Sequence, residues 1–277
     1  MIKNKYIIKS LAPWMIDELI AFSEITTFDV IFLRKNPPID YQVMEFLGPV
    51  SDQIFIVNNT LGQINGNSKV YTLNFPDIIP ETHISRDPVR LKKIIDDFGG
   101  DMIIKPLHGH GGDGVIKVSN QDQENLSSLI NYYVETRKPY PERNPIMVQE
   151  YLNTVKTDGD IRILLLNGEI MGAMERKSVH GDFRTNVHAG AEAFKHEITS
   201  GEREICEIIK PRLIKDGLYF AGIDIIGDKL VEVNCVSPGG IPRINRFDNM
   251  RLESEVIDFV EQKIYDAKNV EHPKDAT

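Results

Sequence analysis

The sequence predicts an α/β protein built of mixed α+β lobes, and three observations carry that prediction. Strand-like and helix-like segments alternate from Phe28 to Ala267. A β-hairpin interrupted by polar residues stands at Ala221–Asn234, AGIDIIGDKLVEVN. A glycine-rich loop, Gly109–Gly114, lies between two strand-like runs rather than between a strand and a helix. At 277 residues the chain can bury a large core, in one big or two modest domains. The net charge of −9 argues against non-specific nucleic-acid binding. The two cysteines, Cys206 in a helical pattern and Cys235 just past the hairpin, are poorly placed for a disulfide and point to a reducing cytoplasm. No apolar run reaches membrane-spanning length and the first residues lack a signal-peptide pattern, so no membrane partner is expected.

Residues 1–60 read as a small α/β unit. Trp14–Phe22 is helix-like, Phe28–Leu33 is a strand, and the strand stops at Arg34-Lys35-Asn36-Pro37-Pro38, because proline cannot donate to a sheet. Two cations in that turn suit an anion or simply solvent. Gln53–Val57 is a second strand. Gly66–Leu73 follows, with Asn67 or Ser68 as a helix cap, and Glu81–Ser85 is strand-like. Asp87-Pro88 opens a helix, cap followed by proline at the first position, which Gly99-Gly100 ends. Gly109, Gly111 and Gly114 match G-x-G-x-x-G, but Val115–Val118 after them reads as strand, so a dinucleotide-binding turn is rejected. Strand, glycine loop, strand is instead a flap whose backbone N–H groups can close over phosphates. Lys105, at the end of the strand before it, is costly to bury unless it meets an anion. Asn120–Thr136 has helical spacing, Ile146–Glu150 is a strand, and Asn167-Gly168 is a hairpin turn between Ile161–Leu166 and Glu169–Glu175. Arg176–Gly190 reads as a cationic loop. Thr199–Gly217 is a helix with a Thr199–Glu202 capping box, an apolar stripe of Ile205, Ile208, Ile209 and Leu213, and a kink at Pro211. Cys235–Asn245 reads as a loop and Leu252–Ala267 as the last helix.

The hairpin holds the densest chemistry. A three-residue loop, Gly227-Asp228-Lys229, would pair Asp224 with Glu232; a two-residue turn would put them on opposite faces, since side chains alternate. The first register gathers Ile223, Ile225, Val231 and Val233 on one apolar face and Asp224, Glu232 and Asn234 on the other. Two facing carboxylates beside an amide suit a hard cation such as Mg²⁺, or form an exposed strand face of ordinary acids. Without a cation the two acids should repel, and one should hold its proton more tightly than a free carboxylate.

KPLHGHGG, VQEYL, DGDIRILLLNGE, FRTN and GIDIIGDKLVEVN, in this order and after RKNPP and SKV, resemble the prokaryotic glutathione synthetases and, more widely, the ATP-grasp carboxylate–amine ligases. The resemblance implies an ATP-grasp fold at 61–277, with a lid near 82–150 and a catalytic lobe near 151–267, preceded at 1–60 by an abridged Rossmann-like domain. It implies ATP as nucleotide and Mg²⁺, or Mn²⁺ in its place, held by Asp224, Glu232 and Asn234. Lys69 and Lys105 would meet the phosphates under the flap of Gly109, Gly111 and Gly112. Gln149, Glu150, Tyr151 and Leu152 would form the adenine hinge, with Asp160 the acid after it. Arg162, Lys105 and Arg184 would act in catalysis. Arg34, Arg176, Arg184, Asn186, Ser237, Gly239 and Gly240 would face a small-molecule or peptide substrate. The implied reaction makes an amide through an acyl phosphate, from γ-glutamylcysteine and glycine. Another acid–amine pair, or nucleotide binding without ligation, also fits; the loop CVSPGGIPRIN departs from the best-known members. The family is commonly dimeric or tetrameric, which implies a homo-oligomer.

Overall fold

The computed structural model describes Ile25, residues 27–178 and residues 191–271. The helix expected at Trp14–Phe22, and the candidate site residues Arg184 and Asn186, lie outside the described residues. The first unit pairs β1 (Val30–Phe32) in parallel with β2 (Phe55–Val57), and α1 (Tyr41–Leu47) makes the crossover between them. Asp40 caps α1 by accepting from the Val43 N–H, and Val43 and Leu47 bury against Ile31 and Ile56. Asn59 likewise caps α2 (Thr60–Gly66). Ser68, one of the two expected caps, then accepts from the Val70 N–H and opens Lys69–Asn74, which is a 3-10 helix rather than an α-helix.

The second sheet has β3 (Thr82–Ser85), β4 (Asp101–Pro106), β5 (Ile116–Ser119) and β6 (Ile146–Glu150) in the order β3-β6-β4-β5, all antiparallel. Two helices lie on it, α3 (Pro88–Phe98) and α4 (Gln123–Val134). Asp87 accepts from the N–H groups of Val89 and Arg90, and Gly99 at φ 71° ends α3 in the left-handed region. Met102 and Ile104 pack under Leu91, Ile95, Leu126 and Ile130. Strand alternation therefore turns Ile103 and Lys105 to the other face.

A short helix, α5 (Val155–Asp158), leads into the third sheet, which is larger. Its strands are β7 (Asp160–Leu166), β8 (Glu169–Lys177), β9 (Glu192–Lys195), then, beyond helix α6 (Ser200–Lys215), β10 (Phe220–Ile226) and β11 (Lys229–Asn234). Their order is β11-β10-β7-β8-β9. Asn167 and Gly168 turn β7 into β8 with φ of 52° and 79°, the pair of positive values a two-residue hairpin turn requires. Thr199 and Glu202 complete the capping box of α6, whose buried residues include Ile205, Cys206, Ile209 and Leu213. Ile208, expected in that stripe, is 45% exposed, because it projects on the outer flank while Cys206 takes the inner one. The opposite face of the sheet is covered by α7 (Ile241–Asp248) and α8 (Leu252–Glu271), through Ile244, Leu252, Val256 and Val260 against Leu164, Leu166 and Phe220. Covered on both sides, β7 is buried along its whole length, Asp160 and Arg162 included.

Two expected loops are partly regular. Arg176 and Lys177 extend β8 and pair with β9, and the loop expected to run to Asn245 gives way at Ile241 to α7, with Pro242 in its first turn.

Candidate active site

The β10–β11 hairpin closes through a two-residue turn, Gly227-Asp228, with Ile226 opposite Lys229 and Ile225 opposite Leu230. The expected three-residue loop is absent. The odd residue lies inside β11 instead, where a bulge at Val231 returns Asp224 to its place opposite Glu232. Ile223, Ile225, Leu230 and Val233 thus form the buried face, and Val231, expected among them, turns to line a cleft.

Asp224 is 2% exposed and held by two arginines. Arg162, directly across from it on β7, donates through Nε to Oδ1 and through a terminal nitrogen to Oδ2 at 2.9 Å. Arg176 reaches Oδ1 at 2.9 Å and grips Asp160, its own cross-strand neighbour, at 2.5 and 2.6 Å. Asn234 donates to Asp224 Oδ2 at 3.2 Å, which leaves its own amide oxygen turned elsewhere. Burial alone would raise the Asp224 pKa, but Arg162 and Arg176 outweigh it and hold the carboxyl well below the usual range. Asp224 is therefore not an acid that holds its proton more tightly, as repulsion from Glu232 alone would make it. Two cations supplied by β7 and β8 answer the charge from behind the hairpin.

Facing this wall across the cleft are two lysines. Lys105 donates to Gln149 Oε1 at 2.6 Å, and burial pushes its ammonium down to about 8. Lys69 donates to the carbonyl of Gly109 in the flap at 3.2 Å and lies 4.0 Å from Glu232, while its backbone N–H bonds to the Leu107 carbonyl. The cleft encloses about 790 Å³ including its open mouth. It brings together Lys69, Lys105, Gly112, Gln149, Glu150, Tyr151, Leu152, Asp160, Asp224 and Glu232. Gly111 and Gly112 hold positive φ in the flap, 64° and 78°. The ring of Tyr151 carries Lys117 at 4.3 Å and Lys156 at 5.7 Å.

Of the residues expected to face the substrate, Arg34, Ser237, Gly239 and Gly240 sit beyond the far end of the hairpin, whereas Arg176 is buried against Asp160 and Asp224 instead. Arg34 lies over the Phe220 ring at 5.0 Å and donates to the Pro238 carbonyl, and Arg162 donates to that of Gly239, both at 3.3 Å. The loop carrying Ser237, Gly239 and Gly240 is thus pinned by two arginines. Arg34 and Ser237 line a separate groove with Phe32, Phe220 and Ile241. Lys35, read with Arg34 as an anion turn, is taken by Asp40 at 3.0 Å.

Sequence reasoning missed Asn58. This buried side chain accepts from the Phe220 N–H at 2.7 Å and donates to the carbonyls of Phe220 and Cys235 at 2.6 and 2.8 Å, tying the end of β2 to both strands of the hairpin. An asparagine at a strand end carries no pattern that would single it out.

Residues 68–249 match the family model described as prokaryotic glutathione synthetase, ATP-grasp domain. A glutathione synthetase from Nostoc sp. is 38% identical over 257 residues, spanning 91% of this chain and 77% of the relative. One from Brucella melitensis is 37% identical over 243 residues, spanning 87% and 75%. Among solved structures, D-cycloserine synthetase DcsG superposes with a TM-score of 0.63 at 12% identity over 85% of both chains. D-alanine–D-alanine ligase from Bacillus anthracis, complexed with ATP, gives 0.62 at 14% identity over 92% of this chain and 85% of that one. These two show the ATP-grasp fold.

Proposed function

The chain belongs to the prokaryotic glutathione synthetase family, and on that footing we propose that it joins γ-glutamylcysteine to glycine in the cleft between its second and third sheets. It is an ATP-dependent ligase of the glutathione synthetase type, and a divalent metal accompanies the nucleotide. The observation that carries the assignment of residues is that Lys69 and Lys105 face Asp224 and Glu232 across one cleft. In this reading 1–60 is a pre-domain, 82–150 the lid and 151–267 the catalytic lobe of an ATP-grasp unit spanning 61–277. The free, buried thiols of Cys206 and Cys235 support a reducing cytoplasm as its setting.

The donor set fits Mg²⁺. Glu232 keeps a carboxylate at the cleft and Asn234 keeps an amide oxygen, hard donors on a rigid sheet, while both oxygens of Asp224 are already taken by Arg162, Arg176 and Asn234, so it would join the shell only by sharing them. Among the described residues no group of three or more His, Cys, Asp or Glu could hold a metal, so phosphate oxygens would complete the shell. When bound, Mg²⁺ would neutralise phosphate charge.

The protein's own residues do the rest. Lys105 and Lys69 place positive charge where the transferred phosphoryl group gathers negative charge. The γ-glutamylcysteine carboxylate takes that phosphoryl group, and ADP leaves. The glycine amine then attacks the acyl phosphate, and inorganic phosphate departs with the amide formed. The flap keeps water from the acyl phosphate, with the Lys69–Gly109 bond holding it over the cleft. Arg162 holds Asp224 in place and ties it to the Gly239 carbonyl, so one guanidinium joins the metal side to the acceptor loop. Neither cysteine is needed as a nucleophile.

Phosphate release in the presence of ATP and Mg²⁺ tests the substrate pair. γ-Glutamylcysteine with glycine should turn over faster than any other acid–amine pair in a panel of amino acids and dipeptides. Release with a different pair alone would move the chain to another specificity within the same fold.

A further inference from the structure

We propose that Gln149 is a positioning residue for Lys105: its amide oxygen aims the ammonium into the cleft without cancelling its charge. This rests on the reading of Lys105 as a ligand for nucleotide phosphate. The resemblance puts Gln149 at the adenine hinge, and in the structure its side chain meets Lys105 and Thr82.

Three hydrogen bonds in series fix its orientation. The Thr82 hydroxyl donates to the Pro80 carbonyl at 2.7 Å, and that carbonyl can only accept. With its hydrogen so placed, the Thr82 oxygen accepts from Gln149 Nε2 at 2.8 Å. The amide oxygen of Gln149 is then the atom left to face Lys105, whose Nζ donates to it at 2.6 Å. The partners stand on adjacent strands: Thr82 on β3 is opposite Gln149 on β6, which is opposite Ile103 on β4, two residues before Lys105 and on the same face. Gln149 is 1% exposed, so water does not compete for the amide.

The choice of amide over carboxylate has a physical reason. A lysine in a desolvated cleft needs an acceptor, or its ammonium is unsatisfied. A glutamate at 149 would satisfy it too well, because a buried carboxylate would neutralise the charge that the phosphate requires. A neutral amide oxygen takes one N–H and leaves the net charge intact, with the other N–H bonds free to turn toward the cleft. The cost is that burial, with Lys69 beside it and against the pull of Glu232 and Asp224, draws the Lys105 pKa down to about 8, so its charge is present below that pH and is lost as pH rises through it.

The test is calorimetric binding of a non-hydrolysable ATP analogue with Mg²⁺ from pH 6.5 to 10. Wild-type affinity should fall as pH rises through about 8. Gln149→Glu should weaken binding about tenfold or more at pH 7, the scale of one charge-assisted hydrogen bond, and should move the fall to higher pH. Gln149→Met, close to it in size, should weaken binding less and move the fall to lower pH. Thr82→Val, which removes the hydroxyl that sets the amide, should act in the direction of Gln149→Met and serves if either variant at 149 fails to fold. Variants at 149 and 82 with wild-type affinity and an unmoved pH midpoint, alongside loss of binding in Lys105→Met, would overturn the proposal alone. Undiminished binding by Lys105→Met would instead overturn the reading of Lys105 on which it stands.

Discussion

The two walls of the cleft handle charge in opposite ways. On the hairpin side, Asp224, Arg162, Arg176 and Asp160 form a closed buried network, acid against cation at each step. On the lid side, Lys105 meets a neutral amide and Lys69 meets a backbone carbonyl, with a carboxylate no nearer than the 4.0 Å contact to Glu232. The difference teaches which wall is scaffold and which is receptor. A closed network holds geometry before any ligand arrives; a wall whose cations have only neutral close partners keeps its charge for an anion that comes from outside. Glu232 belongs functionally with the open wall, although it stands directly opposite Asp224.

Breaking the closed network should have the largest effect. Asp224→Asn leaves two arginines buried without their common acid, and removing one partner of such a group costs about 3 to 5 kcal/mol in unfolding free energy. Urea denaturation measures it, and a loss below 1 kcal/mol would mean the network does not hold the hairpin. On the open wall, Lys69→Met removes the bond to Gly109 while the Lys69–Leu107 backbone bond stays. Amide exchange in residues 107–115 should rise about tenfold, as for one lost hydrogen bond, with β6 unchanged. Equal exchange in both proteins would show that the flap is held by its own turns. The smallest effect sharpens the contrast within the hairpin: Glu232→Gln, with its side chain 28% exposed, should change stability by less than about 1 kcal/mol. A cost matching that of Asp224→Asn in the same denaturation series would erase the distinction between the two walls.

How much of this was legible depended on whether the deciding contact was local. The cap and proline of α3, the Asn167-Gly168 turn and the capping box of α6 are settled within a few residues, and each stands where its residues put it. The pairing of Asp224 with Glu232 was also legible, because segregating apolar from polar residues demands it. Its mechanism was not. A bulge within β11 and a longer loop both shift a register by one, and packing of Leu230 into the core selects between them. The two arginines behind Asp224 were harder still. Nothing in the spacing of Arg162, Arg176 and Asp224 reveals that β7 lies between β10 and β8; sheet order decides it. The helices α1 and α2 had cap residues in Asp40 and Asn59 but only seven residues each, too few to show a period. The strand β9 has four residues at a sheet edge and borrows its conformation from β8.

Asn58 adds a consequence for the order in which the molecule can assemble. Its contacts with Phe220 and Cys235 span 162 and 177 residues of sequence. During synthesis β1 and β2 emerge long before either strand of the hairpin exists, and their amide clamp has nothing to close on until the chain has been made through Cys235. Contacts of such separation form against a large loop entropy and slow the approach to the native state. The hairpin that gathers Asp224, Glu232 and Asn234 is therefore closed by a residue near the beginning of the described chain, and nascent protein released before Cys235 would carry an open seam where the clamp belongs.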